Sequence, residues 1–180
     1  ESNRYEKALE QYRIALKREP ENGEIYHNIG AVYYYMHKYK AAETALQTAL
    51  SLNPKLAKSY SMLGQLQLRK KKDVVAEQLL KTALSINPKL AGARFNLGTI
   101  YLRRGDAKSA RAEYEKTIKC DPRYSLAHYN LATILAHQGE KEKALHHFEQ
   151  SLKNPSPLID PALAKKFIAD LKKELGDGSE

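Results

Sequence analysis

Proline recurs along this chain at a constant interval of 34 residues, at Pro20, Pro54, Pro88 and Pro122. Small residues keep the same interval. One series is Gly30, Gly64 and Gly98, with Ala132 in the fourth place, and the other is Ala8, Ala42, Ala76, Ala110 and Ala144. A period of this length predicts a stack of two-helix units, because each unit can bury its apolar face only against its neighbours.

Each unit is expected to contain two helices and a short turn. In the first complete copy, Ile25, Ile29 and Val32 have helical spacing, and a second set of apolar residues follows the turn. The small residues in the glycine and alanine series are expected where the two helices approach most closely. The proline of each copy falls beyond the second helix, where its missing N–H costs nothing.

The repeated residues match the pattern W-x-x-L-G-x-x-Y, A-x-x-x-F and P of the tetratricopeptide repeat. The third copy carries it as Arg94, Leu97, Gly98, Tyr101, Ala110, Tyr114 and Pro122. On these residues the chain resembles the tetratricopeptide repeat (TPR) family. The resemblance implies an all-α fold, a right-handed α-solenoid of helix-turn-helix repeats that binds other proteins. No individual member is indicated.

The frame divides the chain into a series of repeats within one predicted domain, residues 1–175. The predicted segments are a half repeat at 1–22, repeats at 23–56, 57–90, 91–124 and 125–156, a capping helix at 159–175 and a disordered tail at 176–180. Asp160 is the predicted N-cap of the last helix and Pro161 its first residue. Its apolar stripe is Ile159, Leu163, Phe167, Leu171 and Leu175, which is expected to cover repeat four. Because the chain begins at Glu1 partway through a repeat, we expect a longer parent protein.

Composition restricts the function more by exclusion than by assignment. The formal charge of +9 makes an acidic partner plausible, although a solvated basic surface is the commoner explanation. The single cysteine, Cys120, excludes an internal disulfide and is expected in the core, as are Leu52 and Ile86 in the same position of other repeats. No apolar run approaches the ~18 residues that would span a membrane, and no signal sequence is present. These absences indicate little about location because the chain begins partway through a repeat, so the compartment stays open, with a cytoplasmic location favoured.

No pattern of catalytic residues is present. The motifs G-x-S-x-G, G-x-x-x-x-G-K, G-x-G-x-x-G and H-E-x-x-H are all missing from the sequence. His146 and His147 are adjacent and therefore point to different sides of a helix, which does not suit a shared metal. His128 occupies the place of the large aromatic residue and is expected to have a packing role. We expect no enzyme activity, no cofactor and no metal.

The predicted binding site is a groove lined by the first helix of each repeat. The predicted groove residues are Asn28, Tyr34, Tyr35, Lys58, Gln65, Phe95, Asn96, Thr99, Tyr129 and Asn130. Asparagine recurs in one slot in three of four copies, and its amide can both donate to and accept from a peptide bond. This row resembles the asparagine ladder in the repeat domain of O-linked N-acetylglucosamine transferase. A helix-packing role for these asparagines is the alternative. The carboxylate clamp of chaperone-binding repeats matches at most one residue in either frame, which disfavours an acidic C-terminal tail as ligand.

Basic residues cluster beside the turns between paired helices. The predicted basic rim is Arg69, Lys70, Lys71, Lys72, Arg103 and Arg104. Two functions follow. The favoured one is a non-catalytic interaction scaffold or adaptor that holds a peptide or helix of a partner protein. The alternative is an electrostatic module that binds nucleic acid or anionic lipid through the rim, with nucleic acid the less favoured ligand. The N-terminal half repeat also makes self-association possible.

Overall fold

The structure of this chain is a computed structural model, and it describes residues 2–154 and 156–176. Within those residues it consists of ten α-helices and contains no β-strand. The helices are α1 (Ser2–Arg18), α2 (Gly23–Tyr35), α3 (Tyr39–Leu52), α4 (Ala57–Arg69), α5 (Asp73–Ile86), α6 (Ala91–Arg103), α7 (Ala107–Cys120), α8 (Ser125–His137), α9 (Lys141–Lys153) and α10 (Pro161–Gly176).

The helix boundaries follow the 34-residue period. The first helices of the four repeats begin at Gly23, Ala57, Ala91 and Ser125. The all-α fold of helix-turn-helix repeats is therefore confirmed. The chain divides into two compact units, residues 1–93 and residues 94–180, and each is described by itself below. That residues 1–175 form a single domain stays a prediction.

Local hydrogen bonds explain where several helices begin. The Asn22 side chain accepts a hydrogen bond from the backbone N–H of Glu24 at 2.9 Å, which caps α2. The Asp160 side chain accepts from the N–H of Ala162 at 2.9 Å, and Pro161 is the first residue of α10, so the predicted cap of the last helix is confirmed.

The turns between paired helices all need one residue in the left-handed region. These residues lie 34 positions apart, and they are His37 (φ 59°), Lys71 (φ 57°), Gly105 (φ 78°) and Gly139 (φ 79°). Glycine adopts this conformation without steric cost, whereas a side chain makes it unfavourable. The turns of the first unit thus place His37 and Lys71 in this conformation, whereas the turns of the second unit use glycine.

The core confirms the close approach predicted from the small residues. The alanine series from Ala42 to Ala144 is fully buried. A Cβ atom built on Gly64 would lie 2.8 Å from Cγ of Leu80, and one built on Gly98 would lie 2.7 Å from Cε1 of Tyr114. Both separations are shorter than a van der Waals contact, so a side chain added at either glycine would have to displace the side chain of Leu80 or Tyr114.

Helix α10 differs from the predicted cap in the face that it buries. Ile159 and Leu171 are buried as expected, and so is Ala164, but Leu163 is 42% exposed and Phe167 36% exposed. Successive positions four apart drift around a helix with 3.6 residues per turn, so one stripe at a strict interval of four cannot stay on one face. Gly176, placed in the tail by the sequence, ends α10, and residues 177–180 lie outside the described residues.

The expected core position of Cys120 is wrong. Cys120 is an exposed free cysteine, and Leu52 and Ile86 in the same slot are each 37% exposed. The slot is the last residue of the second helix, where the chain turns outward, so its side chain meets solvent in all three repeats. Among the residues that the structure describes, no helix is long and apolar enough to cross a membrane.

Candidate functional site

In the first unit, two predicted groove residues line a surface cavity of ≈ 220 Å³. The residues around it are His27, Lys58, Ser61, Met62, Gln65, Leu90, Gly92 and Ala93. A neighbouring cavity of ≈ 340 Å³ is lined by Asn28, together with His27, Lys58, Glu24 and Lys55 among others. The structure thus brings Asn28, Lys58 and Gln65 to adjoining cavities on one surface.

His27 lies between these two cavities and is held by the core. Its Nδ1 is 2.9 Å from Oγ of Ser59, a serine that is completely buried. Burial lowers the pKa of His27 below its ordinary value of 6.5, and the charge of nearby Lys58 lowers it further. The imidazole is therefore neutral at pH 7, and Lys55 and Lys58 supply the positive charge of this surface.

Tyr34 and Tyr35 lie at the end of α2 and do not line either of these two cavities. Their rings meet edge to face at 5.7 Å, and Tyr34 packs in the same way against Tyr39. Burial raises the pKa of Tyr34 above its ordinary value. Tyr35 remains 59% exposed, so it is the one of the pair that offers a free aromatic surface.

Two of the four basic residues in the rim of the first unit, Arg69 and Lys70, are engaged within the protein. The Arg69 guanidinium lies 4.3 Å from the centre of the Tyr39 ring, a cation–π contact. Lys70 donates to Glu43 at 2.7 Å, and this hydrogen bond is the main reason that the pKa of Glu43 is lowered. In the second unit, Arg103 is the last residue of α6 and Arg104 follows it in the turn, and both are exposed. Only part of the predicted positive charge of the first unit's rim is thus available to a ligand.

In the second unit, Tyr129 and Asn130 line a cavity of ≈ 490 Å³. Its other residues are Leu102, Ala107, Thr133, Ile134, His137, Gln138 and Phe167. A second cavity of ≈ 290 Å³ shares Thr133, His137 and Phe167 with the first. Three residues belong to both cavities, so the two adjoin each other, and together they are called the depression between the end of α8 and helix α10.

The remaining predicted groove residues of the second unit are more deeply engaged. Phe95 packs against Tyr114 and Tyr124 with ring centres 5.6 and 5.0 Å apart. The hydroxyl of Tyr114, whose side chain is fully buried, accepts a hydrogen bond from Asn130 Nδ2 at 3.2 Å and lies 3.5 Å from Oγ1 of Thr99. One half of the Asn130 amide is therefore already occupied. This supports the packing alternative for Asn130 and leaves its carbonyl oxygen for a ligand.

His128 and His147 form a pair that the sequence did not indicate. Their Nδ1 atoms are 2.9 Å apart, and Nε2 of His128 is 3.0 Å from the carbonyl oxygen of Pro122. A carbonyl can only accept, so Nε2 of His128 donates to it, Nδ1 of His128 accepts, and Nδ1 of His147 donates. Burial, followed by the nearby His128 and His146, lowers the pKa of His147 to about 4. The packing role expected for His128 is confirmed, since it is 4% exposed.

Family comparisons agree with the repeat frame and the two-helix units. Three tetratricopeptide repeat models match the chain, at residues 1–37, 23–56 and 93–157. The chain belongs to the TPR family. TPR proteins act as protein-interaction scaffolds, and the comparisons found no enzyme family. No curated protein sequence matches this TPR chain.

Solved structures of other TPR proteins resemble this one over most of its length. MamA is 25% identical, with a TM-score of 0.67 over 85% of this chain and 90% of MamA. YrrB, described as a TPR protein with an unusual peptide-binding site, is 25% identical, with a TM-score of 0.63 over 92% of this chain and 85% of YrrB. PilF of Pseudomonas aeruginosa, at 17% identity, shares the fold, with a TM-score of 0.78 over 99% of this chain and 86% of PilF.

The sequence missed Phe167 as a residue of the candidate site. Its apolar neighbours at intervals of four assigned it to the buried stripe of a cap, yet it lines both cavities of the second unit. A usable signal was present. Ala164, Ile168, Leu171 and Leu175 alternate by four, three and four residues, which follows the helical period better and places Phe167 at the edge of the buried face.

Proposed function

We propose that this TPR scaffold binds an extended peptide or a short helix of a partner protein on the surface formed by the first helices of its repeats. The observation that carries the proposal is the location of the cavities. Residues chosen from the repeat frame alone line cavities in each unit: Asn28, Lys58 and Gln65 in the first, and Tyr129 and Asn130 in the second.

The chemistry of these surfaces suits a peptide. The side-chain amides of Asn28 and Asn96 make no hydrogen bond with other described residues, so they can pair with a peptide backbone. Tyr129 combines an apolar ring with a polar tip, a residue type enriched at interaction hot spots. YrrB, a TPR protein with an unusual peptide-binding site, supports the same use of the fold here.

A peptide selection tests this proposal. Random dodecapeptides displayed on phage are selected on the purified chain, and synthetic versions of the winners are mapped by NMR chemical-shift changes. We expect the changes on α2, α4, α6 and α8, and a loss of affinity in the Asn28/Asn96/Asn130→Ala triple variant. The matched control replaces three amides of second helices, Gln47, Gln78 and Gln150, with alanine. Selected peptides that map to second helices, or that bind the asparagine variant as tightly as the wild type, would refute the proposal.

The electrostatic alternative is weakened by the pairing of Arg69 and Lys70 within the first unit. It predicts that affinity for nucleic acid or anionic vesicles falls steeply as salt is raised. Self-association through α1 also stays a prediction. Ala8, Tyr12 and Ala15 are partly exposed, whereas Ala42, Leu46 and Ala49 in the same slots of α3 are buried, so α1 has an incompletely covered apolar face.

A further inference from the structure

Helix α10 contributes to the depression of the second unit as well as covering the repeat before it. The Phe167 ring stacks on Phe148 with centres 5.3 Å apart and planes inclined by 21°. Phe148 in turn meets Tyr129 edge to face at 5.4 Å. These three rings, here called the aromatic floor, run from α8 across α9 to α10. Phe148 is buried, while Phe167 keeps 36% of its surface exposed.

One carboxylate beside the aromatic floor has no cationic partner. Asp170 lines the ≈ 290 Å³ cavity together with Phe148 and Phe167, and it makes no ion pair with any described residue. The other two charged groups of that cavity neutralise each other, because Lys141 contacts Glu174 at 3.1 Å. In a protein with a net charge of +9, this depression therefore carries a local negative charge next to exposed aromatic surface.

We propose that the depression between α8 and α10 holds a bulky apolar side chain of a bound peptide, with an adjacent arginine or lysine paired to Asp170. This rests on the proposed peptide-binding function and gives it a ligand chemistry. The apolar side chain covers the exposed part of Phe167 and reaches Leu102, which is 40% exposed on the opposite side. The cation pairs with the carboxylate of Asp170, and it can also lie on the Phe167 ring.

The size of the depression agrees with such an occupant. Cavities of ≈ 490 Å³ and ≈ 290 Å³ that share three residues fall in the range of pockets that take a small ligand or a few side chains. Two of the polar groups around it are already engaged within the protein, since Asn130 Nδ2 donates to Tyr114 and Thr133 Oγ1 donates to the carbonyl of Tyr129. An acidic side chain in the same place would be repelled by the carboxylate of Asp170.

Blocked dipeptides test the inference without a known partner. The probes are acetyl-Phe-Arg-amide, acetyl-Phe-Glu-amide and acetyl-Ser-Arg-amide, each titrated at millimolar concentration into the isotope-labelled protein. We expect saturable NMR shifts at Thr133, His137 and Phe167 with the Phe-Arg probe. Binding of the Phe-Glu probe should be about two- to fivefold weaker, as for a partly exposed ion pair, and the Ser-Arg probe should not saturate.

Matched variants separate the two contacts. Asp170→Asn should abolish the preference for Phe-Arg over Phe-Glu, whereas Glu142→Gln, which removes one carboxylate elsewhere in the unit, should leave it. Phe167→Ala should weaken the Phe-Arg probe about tenfold, whereas Leu163→Ala should not, since Leu163 is exposed on the same helix but lines neither cavity. If Phe167→Ala unfolds the helix, Thr133→Phe fills the depression from α8 and should have the same effect.

The outcomes distinguish this inference from the proposed function. Equal binding of the three probes, or a preference for Phe-Arg that survives Asp170→Asn, overturns the inference alone. If phage-selected peptides bind the first helices but contain no apolar residue beside a basic one, the scaffold binds peptides by another contact. If no peptide is selected while Phe-Arg binds as described, the depression is a side-chain site and the general groove proposal fails.

Discussion

The two units fill the same structural slots with different chemistry. One pair of equivalent positions, the fourth residue of the first helix and the residue 19 positions later in the second helix, can be compared in all four repeats. In the first unit these pairs are Tyr26 with Ala45 and Tyr60 with Leu79, and in the second they are Arg94 with Glu113 and His128 with His147. The second-unit pairs are in contact, at 3.2 and 2.9 Å. The frame therefore fixes where helices meet and leaves the chemistry of the contact open.

The contact between consecutive repeats shows the same freedom, with inverted charge. In the first unit, Glu43 of the second helix accepts from Lys70 and Gln67 of the next repeat. In the second unit, the residue in the slot of Glu43 is Arg111, which donates to Gln138 and pairs with Glu140. The junction between repeats thus contains a carboxylate on the second helix and a cation on the next repeat in one unit, and the reverse in the other. Either arrangement brings opposite charges together.

Both units have a glycine at the close contact between paired helices, so replacing this glycine should destabilise both. Gly64→Leu and Gly98→Leu should each lower the free energy of unfolding by about 1–3 kcal/mol, since the added side chain would overlap Leu80 or Tyr114. Thermal melts measure the loss. Gly92→Leu is the matched control, because a Cβ on Gly92 meets nothing within 4 Å and the gain in helix propensity is the same. Equal melting temperatures for the Gly92 and Gly98 variants would contradict the helix pairing described above.

The histidine pair should make the second unit the more acid-sensitive one. The pKa of His147 is about 4 in the folded protein against an ordinary 6.5, so between these values the unfolded chain binds more protons. Stability from this residue is full above pH 6.5 and falls as the pH drops toward 4. Allowing for screening by water, we expect a loss of about 1–2 kcal/mol, measured by hydrogen exchange of α8 and α9 relative to α4 and α5.

Converting this pair to the one in repeat two sharpens the test. The double variant His128→Tyr/His147→Leu should remove the acid sensitivity between pH 6.5 and 4, whereas His146→Gln should retain it because His146 is exposed. The pKa of Glu140 is lowered from 4.5 to about 2 by its hydrogen bonds to Arg111 and Lys143, so the stability that depends on this carboxylate is lost only below about pH 4.5, at the acid end of this window. If α8 and α9 of the wild type exchange at the same relative rate at pH 7 and pH 5, the buried neutral pair is not present.

Inverting the charges at the junction of repeats three and four should damage and then restore it. Arg111→Glu places a carboxylate beside Glu140 and Glu115 and should lower the melting temperature by about 2–4 °C. Adding Glu140→Lys restores an oppositely charged pair at these two positions and should recover most of the loss. A double-mutant cycle with no coupling between the two positions would show that the junction does not depend on this pair.

The smallest effect is expected at the turns. Lys71→Gly should raise the free energy of unfolding by about 0.5 kcal/mol, because it relieves a side chain held at φ 57°. Gly105→Ala, the reverse change in the second unit, should lower it by about 1 kcal/mol at φ 78°. Chemical denaturation resolves both. A stabilising Gly105→Ala would mean that the turn of the second unit adopts another conformation.

The repeat frame and its small residues were readable from the sequence because they depend on local order. The 34-residue interval placed the helices, Asp160 was correctly identified as a cap, and Gly64 and Gly98 were correctly placed where helices touch. Each of these predictions depends on backbone conformation or on the spacing of residues along the chain. Both can be read directly from the sequence.

Only the tertiary structure decided which way side chains face once helices had packed. In the structure Cys120 is exposed at a helix end, and Phe167 lines a depression beside Asp170. Asn130 also donates a hydrogen bond to Tyr114, 16 residues away in the sequence. Part of the basic rim is engaged within the protein, since Lys70 donates a hydrogen bond to Glu43, 27 residues earlier in the sequence. These outcomes depend on the rotation of each helix about its axis. That rotation is set by the packing of the whole neighbouring repeat, which a local period does not contain.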